Sequence, residues 1–177
     1  MDALRFIVHA LLQVLLVIVF LLRVLLPLVR ADARNQLSQA VIRFTNPLVL
    51  PLRRILPPIG KVDTASIVAL LIVQAAATAV LWLLDAYPWM FTAGQFVHTV
   101  LLNLVVTVLQ FYTFALFLYV LLSWVAPGTY SPAAALLSSL CEPLLRPIRR
   151  VLPTFGGLDL SALIAIIVLQ ALIILIT

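Results

Sequence analysis

Charge is what this chain has least of. Of its 177 residues only 10% are Asp, Glu, Lys or Arg, while 65% are hydrophobic. A soluble domain carries nearer a quarter charged residues, so polar surface is too sparse to cover a water-soluble globule. An ordinary cytosolic domain, a disordered chain and a secreted disulfide scaffold are excluded. Cys141 is the sole cysteine, which leaves no intramolecular disulfide or Cys cluster, and on a cytoplasmic face it is expected to stay reduced. No long apolar run contains Asp, Glu or Lys at depth, which weakens an ion-coupled antiporter. There is no potassium-filter sequence, and no His-Glu-x-x-His, phosphate loop or nucleophile elbow. An enzyme is not expected, nor is a cofactor.

What is present is apolar length. A membrane-spanning helix needs roughly 20 mainly apolar residues, and four stretches offer spans, at about 6–26, 64–84, 97–125 and 160–177. The first is too long in its apolar core for a cleaved signal peptide, and Arg23 and Pro27 interrupt the approach to any cleavage site. It is expected to be retained. Residues 30–63 hold Arg30, Arg34, Arg43, Arg53, Arg54 and Lys61, and residues 126–159 hold Arg146, Arg149 and Arg150, whereas the middle connection holds no basic residue. Positively charged loops stay in the cytoplasm, so these two connections are expected inside and both termini outside. The same asymmetry accounts for most of the net charge of +5 without a nucleic-acid partner. Trp82, Tyr87, Trp89 and Phe91 read as an outer aromatic belt.

The chain says the same thing twice. Asn46-Pro47-Leu48-Val49-Leu50-Pro51-Leu52-Arg53-Arg54-Ile55-Leu56-Pro57 returns as Glu142-Pro143-Leu144-Leu145-Arg146-Pro147-Ile148-Arg149-Arg150-Val151-Leu152-Pro153. Gly60 and Gly156, Asp63 and Asp159, and Gln74 and Gln170 keep the same offset, and Leu21-Leu22 matches Leu121-Leu122 further upstream. The expected fold is therefore an all-α membrane protein with four transmembrane helices, built as two parallel repeats of span, amphipathic Pro-Arg connection and span. The first repeat occupies residues 1–85, the second 97–177, and 86–96 connect them.

The paired Pro-x3-Pro-x-Arg-Arg-x-Leu-Pro motifs, with Leu21-Leu22-Arg23-Val24-Leu25 ahead of the first, resemble the signature of the YggT (YGGT-domain) membrane proteins. The resemblance covers nearly the whole chain. It implies a multi-pass protein of the bacterial inner membrane or a plastid relative. It also implies a link to membrane-complex assembly, envelope organisation or osmotic stress. No defined biochemical activity comes with it.

Residues 33–45 read as an amphipathic helix, with Leu37, Ala40, Val41 and Phe44 on one face. Ser131-Pro132 reads as a helix start, for a helix through Leu140. The prolines beyond are expected to prevent one regular helix, leaving re-entrant or interfacial segments. Arg43, Arg53, Arg54, Arg146, Arg149 and Arg150 are candidates for contact with anionic phospholipid and a membrane-protein partner. The motif residues Pro47, Pro51, Pro57, Gly60, Asp63, Pro143, Pro147, Pro153, Gly156 and Asp159 are structural, the aspartates as helix caps. An alternative for Asp63 is an ion pair with Arg23. Gln74 and Gln170 fall near mid-membrane and form a possible pair on the pseudo-twofold axis, with interhelical hydrogen bonding as the plainer role. Gln13, Asn103 and Gln110 read the same way. His9 and His98 come nearest to a metal site, but they are not repeat mates and no second ligand flanks either, so no metal is expected.

The expected function is a non-enzymatic scaffold or assembly factor. The alternative is a small channel or transporter for ions or osmolytes.

Overall fold

The computed structural model describes residues 2–59, 63–84, 92–125, 131–151 and 160–177. Every regular element among them is a helix, as an apolar solvent demands, because a helix satisfies its peptide groups within one segment. The order is α1 (Asp2–His9), a π-helical segment (Ala10–Leu16), α2 (Val17–Leu28), α3 (Gln36–Ile55), α4 (Thr64–Leu83), α5 (Ala93–Val125), α6 (Pro132–Val151) and α7 (Leu160–Ile176). The first three run on as one rod. Three stretches are long and apolar enough to cross a membrane: Phe6–Leu28, Thr64–Leu83 and Ala93–Trp124. The apolar helix Ser161–Ile176 is shorter.

The two copies of the motif fold alike. In the first, α2, α3 and α4 pack on one another, and in the second α5, α6 and α7 do. The halves then meet through α2 on α5, α3 on α6 and α4 on α5. Like meets like where the leading spans α2 and α5 touch and where α3 touches α6, but among the described residues the packing of α4 on α5 has no counterpart of similar extent between α7 and α2. Two apolar clusters result, one around Val17, Phe20, Leu21, Ala69, Leu70 and Val73, the other around Leu116, Cys141, Leu145, Ala165 and Leu169.

Repeat mates share burial where both copies have a neighbour. Ala65 and Ser161, Ser66 and Ala162, Ala69 and Ala165, and Val73 and Leu169 are all buried. Small residues there let α4 and α7 approach their leading spans closely. Beyond that seam the copies part: α4 is also covered by α1 and by α5, and it buries Gln74, Ala77, Thr78 and Leu81 as well. In α7, Gln170 and Ile174 are exposed.

The prolines do not break the connections, contrary to the expectation. α3 continues through Pro47 and Pro51, and α6 through Pro143 and Pro147, each as a helix of 20 residues. Each proline deprives the carbonyl four residues earlier of its partner. Spaced by four, both prolines of a pair lie on one helix face, and all four are exposed. The freed carbonyls thus open outward rather than into the protein interior. Ser131 starts its helix as expected, its Oγ accepting from Ala134 N at 3.1 Å, whereas α3 begins after Asn35 rather than at residue 33, with Asn35 Oδ1 accepting from Leu37 N at 2.9 Å. Asn35 Nδ2 also donates to Pro132 O at 2.6 Å, tying the two starts together.

α2 ends in a Schellman arrangement. Ala31 N donates to Leu26 O at 3.0 Å and Arg30 N to Pro27 O at 3.3 Å, which puts Arg30 in the left-handed region with φ 53°. A side chain there is strained by roughly 1–2 kcal/mol. Arg30→Gly is therefore expected to hold or raise stability by up to about 1 kcal/mol, and Arg30→Val to lose about 1–2 kcal/mol. Melting temperatures of the two variants in one detergent check both signs.

Candidate functional site

α3 and α6 lie side by side and each ends in an Arg-Arg pair. The face that α3 turns to the protein is narrow: Ser38, Thr45 and Val49. Its apolar side points away, with Leu37 43%, Phe44 59% and Ile55 77% exposed. Arg43 and Arg54 are exposed on the same helix. An amphipathic helix that buries little of its apolar face in its own protein has the form of one lying in a headgroup layer. α6 is held more firmly, through Leu136, Leu140, Cys141 and Leu145. Burial pushes the Cys141 thiol up to about 12, so it is packing, not a nucleophile.

The arginines divide into two groups. Arg53 donates to Asp63 Oδ2 across the α3–α4 junction, and Ser66 Oγ donates to the same oxygen at 2.8 Å. Asp63 Oδ1 is buried without a partner. In the second copy Arg149 donates to Glu142 Oε2 at 3.1 Å and to Tyr119 Oη at 3.3 Å, and Arg146 Nε donates to Glu142 Oε1 at 3.2 Å. Glu142 stands where the first copy has Asn46, which explains why Arg53 looks to Asp63 instead. Arg53, Arg146 and Arg149 are thus engaged within the protein, leaving Arg43, Arg54 and Arg150 as exposed cations outside any ion pair among the described residues.

The alternative Arg23–Asp63 ion pair is not formed, and Asp63 pairs with Arg53 instead. Arg23 is 7% exposed on α2, within electrostatic range of both, and makes no ion pair among the described residues. Asp63 stands at the N-cap position of α4, but its side chain takes Ser66 Oγ and Arg53 rather than a backbone N–H. Gly60, Pro153, Gly156, Asp159, Tyr87, Trp89 and Phe91 lie outside the described residues.

The two glutamines do not form a pair. Gln74 is wholly buried in α4 and Gln170 is exposed on α7, because only α4 has helices on both flanks. Nor does Gln74 bond between helices: its Nε2 reaches Thr78 Oγ1 of its own helix at 3.5 Å, and its Oε1 is buried without a partner.

Polar groups do converge elsewhere, at the meeting of the leading spans. A cavity of about 340 Å³ is lined by His9 and Gln13 from the first rod and by Asn103, Thr107 and Gln110 from α5. Gln13 is 6% exposed, sits inside the π-helical segment, and its Nε2 has no acceptor. His98 is not among the lining residues. The sequence displays every one of these polar residues, but not their convergence. The α5 trio at i, i+4 and i+7 is a helical stripe that periodicity does register.

Every regular element among the described residues is a helix, three of them long and apolar enough to cross a membrane, and the sequence carries its motif twice. The CCB3/YggT family pattern matches residues 1–84 and 98–177, and the chain belongs to that family. It is 42% identical over 160 residues to the uncharacterized protein PA0392 of Pseudomonas aeruginosa, covering 88% of this chain and 79% of that one. It is 34% identical over 173 residues to the uncharacterized protein YggT of Escherichia coli, covering 97% and 88%. An uncharacterized Vibrio alginolyticus protein is 34% identical over 170 residues, covering 96% and 91%. No solved structure matches the chain.

The Asp63 junction carries a prediction. Burial disfavours its ionised form, but hydrogen bonds from Ser66 and Arg53 and the Arg53 charge outweigh it, and the carboxyl lies below its ordinary range. Folding is then favoured while Asp63 is ionised. That contribution is complete above the ordinary carboxylate pKa and is lost as pH falls through the lower folded value. Asp63→Asn is expected to lose about 1–2 kcal/mol at neutral pH, discounted for the exposure of Arg53. It is also expected to flatten the acid side of a melting-temperature profile.

Proposed function

We propose that this protein is a non-enzymatic scaffold or assembly factor of the bacterial inner membrane. Its four apolar helices cross the bilayer, with both termini outside and α3 and α6 in the cytoplasmic headgroup layer. There they hold anionic phospholipid and a membrane-protein partner. The observation that carries this reading is the outward apolar face of α3 beside arginines that no carboxylate among the described residues neutralises. α7 rises about 26 Å at 1.5 Å per residue against a slab of about 30 Å, so the bilayer thins slightly around it.

Arg43, Arg54 and Arg150 are the lipid-facing cations in this reading, while Arg53 and Arg149 brace the helices that present them. A basic residue near an anionic surface is worth about 1 kcal/mol. Replacing the three by Gln is therefore expected to weaken association with phosphatidylglycerol bicelles about a hundred-fold, with no change toward phosphatidylcholine. Native mass spectrometry of protein released gently from its own membrane should show bound anionic lipid and partner lost together in that variant. Unchanged retention of both, at correct topology, overturns the scaffold.

The second reading, a passage for ions or osmolytes, has one observation in its favour. The cavity of His9, Gln13, Asn103, Thr107 and Gln110 lies where the repeats meet. Any such path runs between α2 and α5 rather than past Gln74 and Gln170. In proteoliposomes it predicts flux that Gln13→Leu abolishes and Gln170→Leu leaves intact.

A further inference from the structure

A polar cavity between two apolar helices has to be accounted for by what fills it. Gln13 is 6% exposed and its amide nitrogen has no acceptor, although a buried donor is rarely left unmatched in a native protein. The helix is also distorted at that point. Seven residues, Ala10–Leu16, are π-helical, a form uncommon beyond single turns and found mostly at functional sites. Its residues are leucine, valine and alanine apart from Gln13, so nothing else polar accompanies the departure from α-helical register. Asn103, Thr107 and Gln110 bring further hydrogen-bonding groups from α5.

The walls say what kind of molecule fits. Among the described residues no carboxylate, lysine or arginine lines the cavity, and His9 is the one titratable side chain, so they offer a charged ligand no counter-ion. The orphan group is a donor and asks for an acceptor such as a carbonyl oxygen. Phe111 and Phe114 form part of the wall, a surface suited to a flat ring. A volume of about 340 Å³ lies at the lower end of small-molecule sites. Access is from the side: Leu11, Leu15, Leu101 and Phe114 are each more than half exposed on the flanking helices, within stretches apolar enough to lie in hydrocarbon.

We propose that the cavity between the first rod and α5 is a binding site for a neutral, lipid-soluble ring bearing carbonyl acceptors, a compound of the quinone class, held by Gln13 Nε2. The ring enters from the bilayer and lies against Phe111 and Phe114, while its chain stays in lipid. The site is independent of the arginine surface on α3 and α6, so either can fail without the other.

The test uses the full chain in phosphatidylcholine nanodiscs and a decyl-substituted dimethoxy-methyl-benzoquinone as probe, measuring quinone retained over empty discs. Saturable retention approaching one quinone per chain is expected, with undecylbenzene, a ring without carbonyls, unable to displace it. Gln13→Leu is expected to weaken retention at least about ten-fold, and Gln170→Leu, outside the cavity, to leave it unchanged. If Gln13→Leu does not fold, the nearly isosteric Thr107→Val takes its place and is expected to weaken retention several-fold. The proposal is overturned by the absence of saturable retention, by equal displacement by undecylbenzene, or by full retention in a folded cavity variant. Glycerol permeation that Gln13→Leu blocks, without quinone retention, overturns it in favour of a water-filled passage.

Discussion

In hydrocarbon a peptide group without a partner is penalised by several kcal/mol, and this constraint runs through every element of the structure. It makes each apolar run a helix and leaves irregular backbone to the connections. It also decides where proline is tolerable. Pro47, Pro51, Pro143 and Pro147 sit on exposed faces, so the carbonyls they release are not shut inside the protein. A motif that reads on paper as helix-breaking is thereby accommodated in a continuous helix. The same rule gives weight to the polar side chains that remain inside, since each needs a partner or a reason.

Those side chains separate by circumstance. Gln74 is enclosed by helices on two flanks and turns to Thr78 of its own helix, while its mate Gln170 has no second flank. The duplication thus supplied two identical residues, and the packing used one of them. A comparable divergence appears in the arginine motifs. Asn46 in one copy and Glu142 in the other send Arg53 across to Asp63 and Arg149 to Glu142 and Tyr119. Equivalent arginines brace equivalent helices through different partners, which leaves Arg43, Arg54 and Arg150 facing outward.

The scaffold reading and the cavity occupy different parts of the molecule. One lies on the amphipathic helices and the other between the leading spans. Both follow from the way the repeats associate: α3 against α6 sets the arginine surface, and α2 against α5 sets the cavity. A protein with no catalytic constellation in its sequence can still carry two binding surfaces, because duplication makes a seam wherever the copies touch.

Much was legible in the residues themselves. The apolar runs, the doubled Pro-Arg motif, the helix start at Ser131 and the family were all readable, because hydropathy, spacing and capping are local properties. The continuity of α3 and α6 was not, since it depends on which way each proline faces. Nor was the partner of Asp63, because Arg23 and Arg53 are both plausible until the helices are placed. Gln13, Asn103, Thr107 and Gln110 stand in the sequence as isolated polar residues in apolar runs. Only the packing of α5 on the first rod, and the π-helical turn that carries Gln13, brought them to one cavity: side-chain convergence depends on the rotation of one helix against another, a quantity that no single segment contains.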